Sequence, residues 1–332
     1  MSKIIGIGNA LVDVTVHLDD EHDLGRLRLE KGSMTLIDSA AWMQLNEHIC
    51  NERRQMSSGG SAANTILALA LIGDEVGLMG CVGQDEMGDF LAEQARQRGI
   101  DAHLIRIPQE RTGVATVFIT PDGERTFATH LGASAMMDVD LLPTNAFDGY
   151  DILHVEGYLV QNHPLTEHVL RAAKAAGLRV SYDLASFNVV RDDHDFVRHV
   201  VEEYVDIVFA NRDEASAFSR QNDPEVALSE LADMTNTAIV KLGNEGAIAM
   251  RIGSDGTRHK ARVLSHSEVT AADSTGAGDF FAAGFLHGVI HGCDLNCCLE
   301  LGNCLAEEVI QVTGTRVTAQ QLRRATEQVT RK

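Results

Sequence analysis

Two short stretches of this 332-residue chain combine glycine with groups able to handle protons or anions. The first is D273-S-T-G-A-G-D279, which runs straight into the apolar F280-F-A-A-G284. Gly276, Ala277 and Gly278 leave the backbone open at a helix start, where free N–H groups and the helix dipole attract an anion. Asp279 can cap that helix, or it can accept a proton from a hydroxyl attacking a phosphoryl group. The second is S57-S-G-G-S-A-A-N64, ahead of a helical apolar pattern that ends at Gly73. Gly59 and Gly60 uncover backbone N–H groups there, and Asn64, one turn in, can reach the same ligand or serve as a packing residue.

The elements that must position these groups read as a strand–helix alternation. Apolar runs at 152–155, 178–183, 207–210 and 238–241 alternate with helical patterns near 164–176, 192–204 and from 212. Such runs indicate parallel strands covered on both faces, and hence a doubly wound α/β fold. Ligands of such sheets bind at the carboxyl ends of the strands. Asn9 and Asp13 follow the first apolar run, Asp183 ends another, Asn211 and Glu214 follow a third, and Lys241-Leu-Gly243 a fourth. The 272–279 stretch follows a strand expected at 261–269. Two regions break the rhythm: V12-D-V-T-V-H-L18 alternates strictly, and 113–127 reads as two strands around P121-D-G123. Together they suggest a small β lid over the site, with an ordinary edge extension of the main sheet as the alternative.

Composition narrows the chemistry. Apolar residues make up 44% and charged residues 23%, ordinary for a soluble globular chain. With 48 acidic against 28 basic residues the formal charge is −20. That argues against nucleic acid as a partner. No apolar run of membrane-spanning length and no signal peptide is evident, so a cytoplasmic protein without a membrane partner is expected. Cys293, Cys297, Cys298 and Cys304 cluster beside His291. Zinc ligation is conceivable, but the i, i+4 spacing favours buried thiols. No G-x4-G-K-[ST] loop occurs, and G6-I-G8-N-A-L11 has Leu11 where a dinucleotide fingerprint needs glycine.

In combination, G59-G-S-A-A-N64 and D273-S-T-G-A-G-D279 resemble the two signature motifs of the ribokinase-like (PfkB) carbohydrate kinase family. G80-C-V-G-Q-D85, N211-R-D-E214 and K241-L-G-N-E-G-A247 extend the resemblance over the whole chain. It implies one ribokinase-like domain over 1–332, with lid segments near 12–37 and 101–132. It also implies ATP-dependent phosphorylation of a hydroxymethyl group on a nucleoside or sugar. Asp279 then corresponds to the catalytic base, and the backbone of Gly276, Ala277 and Gly278 to an anion hole. Asn9, Asp13, Gly59, Gly60 and Asn64 correspond to substrate-binding positions. Asn211 and Glu214 match the motif that organises Mg²⁺ and phosphate through water, and Gly243 and Asn303 fall on the ATP side. Asp273, Thr275 and Gly314 match a monovalent-cation site that would use K⁺. Lys241 departs from the common Thr or Ser, and could meet an ATP phosphate or lie on the surface.

G8-N-A-L-V-D13, G123-E-R-T-F-A-T-H-L-G-A133 and V155-E-G-Y-L159 are similar to the adenosine-kinase-like branch. Adenosine is therefore the expected acceptor, with a free sugar as the alternative and a non-catalytic nucleotide or sugar sensor as a distant one. Met34, Phe118, Tyr158 and Leu159 are candidate walls for a base, with ordinary core or lid packing the simpler reading of each, and Arg125 could swing toward phosphate or stay a solvated turn arginine. A monomer or a homodimer fits equally.

Overall fold

A computed structural model describes residues 2–20, 22–49, 54–121, 124–266 and 273–330. Its strands are β1 (Ile4–Ile7), β2 (Leu11–His17), β3 (Met34–Leu36), β4 (Arg54–Gly59), β5 (Val76–Gly83), β6 (Asp101–Ile107) and β7 (Gly113–Ile119). They continue with β8 (Arg125–His130), β9 (Ile152–Glu156), β10 (Arg179–Asp183), β11 (Ile207–Asn211), β12 (Thr237–Lys241), β13 (Ala247–Ile252) and β14 (Arg258–Val263). Nine of them form one sheet in the order β14-β13-β12-β11-β10-β9-β1-β5-β6. Pairing is parallel from β12 to β6 and antiparallel at the β12–β13–β14 edge.

The apolar runs read from the sequence become the middle of this sheet because both of its faces are covered. Every residue of β1 and β9 is buried, as are the first four of β11 and β12. Leu165, Val169, Val197 and Val201 cover one face; Ile66, Leu69, Phe280 and Phe285 cover the other. The Ser61–Ile72 and Ala277–Ile290 helices are apolar nearly all round, as helices enclosed by other elements must be. Gly73 ends the first in the left-handed conformation, as its position in the sequence predicts.

Strand order reverses at β1, which lies between β9 and β5 although the chain reaches β5 first. A doubly wound sheet opens a crevice at the carboxyl ends of the strands where this happens. Glu156, Asp183, Asn211 and Lys241 are the last residues of four adjacent strands, and Asp183 is in register with Glu156 as Asn211 is with Lys241.

The remaining strands form a second sheet, β3-β8-β7-β2-β4. Its make-up corrects the expected lid limits. Asp101–Ile107 pairs with β5 as the edge of the main sheet, while Arg54–Gly59, not anticipated, forms the outer strand of the second. β2 is also not half-buried as its alternation suggests: Leu11–Val16 are all covered. Trp42 and Leu45 of the Ser39–His48 helix pack behind its valines, with Val82 and Leu91 of the main domain in the same cluster, and Asp13 and Thr15 alternate onto the other face. β7 and β8 pair as expected around the 121–123 turn, of which Asp122 and Gly123 lie outside the described residues. The strand expected at 261–269 is instead β14, ending at Val263; residues 267–269 lie outside the described residues.

Candidate active site

The Ala277–Ile290 helix has Gly276 as its N-cap, at φ +75 and with no side-chain cap. A Cβ on Gly276 would lie 2.8 Å from Thr315 Cγ2, in a backbone region costly for other residues, so glycine is required twice over. The helix thus opens with uncapped N–H groups at Gly278 and Asp279. Asp279 does not cap its own helix. Its Oδ1 accepts from Ser61 Oγ at 2.7 Å and its Oδ2 from Asn64 Nδ2 at 2.8 Å, while its carbonyl accepts from Thr65 Oγ1 at 3.2 Å. Burial pushes the Asp279 carboxyl up to about 6, against the lowering effect of the two side-chain donors. Ser61 and Thr65 are missed by sequence reasoning, although Ser61 lies inside the G-G-S-A-A-N motif. Asn64 is the hinge of this group: among the described residues its Oδ1 is buried without a partner. A buried acceptor in that state suits a hydroxyl donor from a ligand.

The glycine pair is explained by what lies against it. A Cβ on Gly59 would fall 1.9 Å from Asp13 Oδ1, and one on Gly60, at φ +98, 2.0 Å from the Asn9 carbonyl. Asp13 is 7% exposed, and burial, with the Asp279 charge next, raises its carboxyl to about 7. Asn9 serves the frame: its backbone N–H and Nδ2 both donate to Glu156 Oε1, at 2.8 and 2.7 Å. Glu156 Oε2 accepts from Ala62 N at 3.0 Å, tying β9 to the first turn of the Ser61–Ile72 helix. Burial lifts the Glu156 carboxyl to about 7 in spite of these donors. Its position at a strand end, inside the V155-E-G-Y-L159 segment, is the sequence signal that could have found it.

On the other flank, Lys241 is not a surface residue. Its Nζ donates to Asp183 Oδ2 at 2.8 Å, and a Cβ on Gly278 would lie 3.1 Å from the same nitrogen. Burial disfavours its charge, but Asp183 and Glu214 outweigh this and hold Lys241 above its ordinary value. Asn211 and Glu214 form a reciprocal capping box. Asn211 Oδ1 accepts from Glu214 N at 2.8 Å, and Glu214 accepts from Asn211 N at 2.7 Å and Nδ2 at 2.6 Å. Glu214 is 2% exposed, and burial raises it to about 7 against the pull of Lys241. Gly243, at φ +63, opens the turn after β12 with open space beside its Cα.

Asp273, Thr275 and Gly314 are brought together by the Asp273 carboxylate. Oδ1 accepts from Thr275 N and Oγ1 at 2.9 and 2.7 Å, and Oδ2 accepts from Gly314 N at 2.7 Å. Arg125 of β8 is seated on the same loop. Its Nη1 donates to Thr275 Oγ1 at 2.6 Å, its Nη2 to Ser274 Oγ, and its Nε lies 3.0 Å from Asp273 Oδ1. Desolvation would raise the Asp273 carboxyl, yet the donors from Thr275 and Gly314 and the nearby guanidinium hold it below the usual range. Asn303 stands apart: its Nδ2 donates to Glu307 Oε1 at 2.8 Å and Leu264 O at 3.4 Å, not to the Asp279 group.

Register decides which apolar residues face the crevice. Asp13 pairs with Ala115 and Thr15 with Val117, and Val117 pairs with Phe127, which pairs with Met34. Met34 and Phe127 therefore share the face of Asp13. Phe118 pairs with Val16 on the opposite face and is fully buried against Leu24 and Leu45, so it is not a wall of the site. Leu159 belongs to the main core, and Tyr158 packs against it. The cysteines are also less uniform than expected: Cys298 is buried, whereas Cys293, Cys297 and Cys304 are partly exposed.

The family model described as pfkB family carbohydrate kinase matches residues 33–322. An adenosine kinase from Schizophyllum commune is 28% identical over 333 residues, spanning 94% of this chain and 96% of its own. Among solved structures, adenosine kinase from Sinorhizobium meliloti superposes with a TM-score of 0.90 at 30% identity, covering 98% of this chain and 99% of its own. A probable sugar kinase from Rhizobium etli superposes with a TM-score of 0.91 at 29% identity, covering 99% and 98%. No helix among the described residues is long and apolar enough to cross a membrane.

Proposed function

This chain belongs to the pfkB family of carbohydrate kinases and is an ATP-dependent kinase, and from that premise we propose that it phosphorylates the 5′-hydroxymethyl group of a nucleoside, adenosine first. The observation that carries this reading is the Asp279 carboxylate, part-buried and steered by Ser61 and Asn64 at the uncapped start of a helix. Asp279 takes the proton of the acceptor hydroxyl as that oxygen attacks the γ-phosphorus of ATP. The N–H groups around Gly276, Ala277 and Gly278 receive the charge that builds on the phosphoryl oxygens. Lys241, beside Gly278, adds a positive charge on the same side. Asp13 and the free oxygen of Asn64 hold ribose-type hydroxyls, with Gly59 and Gly60 admitting the sugar edge. Gly243 borders the nucleotide, and Asn303 braces the neighbouring segment through Glu307.

Mg²⁺ supplies charge neutralisation on the ATP phosphates when bound. Both Glu214 oxygens already accept from Asn211, which suits contact with the ion through water rather than directly. K⁺ would sit against the Asp273, Thr275 and Gly314 loops, which the Asp273 carboxylate holds side by side. A nucleoside rather than a bare sugar is favoured by Met34 and Phe127, apolar surface on the crevice face of the second sheet. Arg125 reaches from that sheet to the loop before the anion hole, as a lid residue would.

The test is an acceptor panel of adenosine, inosine, ribose and fructose with MgATP, compared by kcat/KM. Adenosine should lead. Ribose or fructose in front would shift the assignment to the sugar kinase that the Rhizobium etli likeness suggests. No acceptor-dependent ADP release would turn it to a sensor.

A further inference from the structure

The two helices that meet at Asp279 meet again at their far ends, around a third group of ligand-type side chains. His287 and His291 stand one turn apart at the end of the Ala277–Ile290 helix, so they share a face. Asp74 follows Gly73, where the Ser61–Ile72 helix stops, and its backbone is held by Asp74 N donating to Leu69 O at 3.1 Å. Both carboxylate oxygens are engaged: Oδ2 lies 2.8 Å from His287 Nδ1 and Oδ1 lies 3.1 Å from His291 Nε2. The three ligand atoms lie within 4.8 Å of one another. The Asp74 side chain is 5% exposed, that of His287 16% and that of His291 48%, so the cluster is walled on one side and open on the other.

The electrostatics of this corner are unusual. Two helices end there, each presenting the negative end of its dipole. A nearly buried carboxylate at such a place is doubly disfavoured unless a cation accompanies it. Arg323 Nε donates to Leu71 O at 2.9 Å and so serves the end of the Ser61–Ile72 helix, but among the described residues the ion pairs of the Asp74 carboxylate itself are with the two imidazoles. Two imidazole nitrogens and one carboxylate oxygen, with an open fourth side, are the donor set of first-row divalent ions such as Zn²⁺.

The geometry points to Asp74, His287 and His291 as a Zn²⁺-type transition-metal site that clamps the Ser61–Ile72 and Ala277–Ile290 helices together at the end remote from Asp279. The ion replaces the shared protons between the carboxylate and the imidazoles, with water completing a tetrahedron. Closing the ligand atoms onto one centre requires rotamer shifts of His291, which its exposure permits. His287 is eight residues beyond Asp279, about 12 Å along the helix. The site is therefore separate from the phosphoryl-transfer chemistry and from any Mg²⁺ used there.

The test uses the full chain, stripped with a chelator and dialysed, without nucleotide. Zn²⁺ should bind at one equivalent by calorimetry and raise Tm by about 4 °C at a hundredfold excess over Kd. Co²⁺ should give visible absorption bands of a low-symmetry nitrogen and oxygen site. All three signals should vanish in His291→Ala, whose position is exposed enough to fold normally, and in Asp74→Asn. All three should persist in a Cys293→Ser, Cys297→Ser double variant. Absence of binding to the parent chain overturns the proposal. So does binding that survives His291→Ala, or binding that is lost with the cysteines.

Discussion

The same pair of helices is pinned at both ends by a part-buried aspartate, and the two ends carry opposite dipole charges. At the leading end Asp279 of one helix is held by Ser61 and Asn64 of the other, among glycines, uncapped N–H groups and Lys241. At the trailing end Asp74 is held by His287 and His291. Helix N-termini attract anions and C-termini attract cations, so the dipoles alone divide the labour. The difference teaches that a carboxylate withdrawn from solvent has no fixed meaning. With neutral donors and a lysine behind it, Asp279 suits the proposed role of proton acceptor. Between two imidazoles, Asp74 is a cation ligand or a brace.

The largest effect expected is at the leading end. Asp279→Asn should lower kcat/KM by about 10²–10⁴-fold while thermal stability stays nearly unchanged, measured by steady-state kinetics beside a melting curve. Near-normal turnover would remove Asp279 from the role of base. Next comes Lys241→Met, which leaves Asp183 buried without its cation. Chemical denaturation should report a loss of about 3 kcal/mol, and phosphoryl transfer should slow in step with it if Lys241 also meets the phosphate.

Acid should then separate activity from stability. Asp279 sits at about 6, and Asp13, Glu156 and Glu214 at about 7, all above their unfolded values near 4. Folding therefore favours their protonated forms: the stability they contribute is full at low pH and is lost as pH rises through 6–7. His154, held neutral by burial down to about 4, opposes this with a single proton below about 6.5. The ligand-free protein should thus melt higher at pH 6 than at pH 8, with a slope of up to about 1.4 kcal/mol per pH unit for each proton. Activity should move the other way, kcat/KM rising as Asp279 loses its proton near pH 6. Parallel pH profiles of Tm and kcat/KM would contradict both assignments. The smallest effect belongs to the trailing end: His291→Ala without metal should cost under about 1 kcal/mol in a denaturant melt, because its contact is half exposed.

Legibility in the sequence followed the range of the interaction that decided each feature. The central strands could be read because both of their faces are covered, so each becomes a continuous apolar run whatever its neighbours are. The end of the Ser61–Ile72 helix could be read because Gly73 acts locally. The placement of Asp101–Ile107 could not. An edge strand with half-exposed residues carries the same alternation whichever sheet adopts it, and only pairing with β5 settles the matter. Phe118 and Phe127 differ by which face of one hairpin they occupy, and register over the whole second sheet decides that.

By itself, then, the sequence determined the doubly wound class, the family, and the two glycine-bordered helix starts, because each rests on short-range patterning and on motifs contained within a few residues. Tertiary structure alone decided that Asp279 is not a cap but a carboxylate steered by a helix more than 200 residues away, with Ser61 as its unforeseen partner. It alone turned Lys241 from a surface alternative into the part-buried cation of Asp183, and seated Arg125 on the Asp273 loop. It also drew His291 away from the neighbouring cysteines to Asp74. Each of these is a choice of partner for a charge. Such a choice depends on desolvation and on approach across the fold, and neither is encoded in any local stretch of chain.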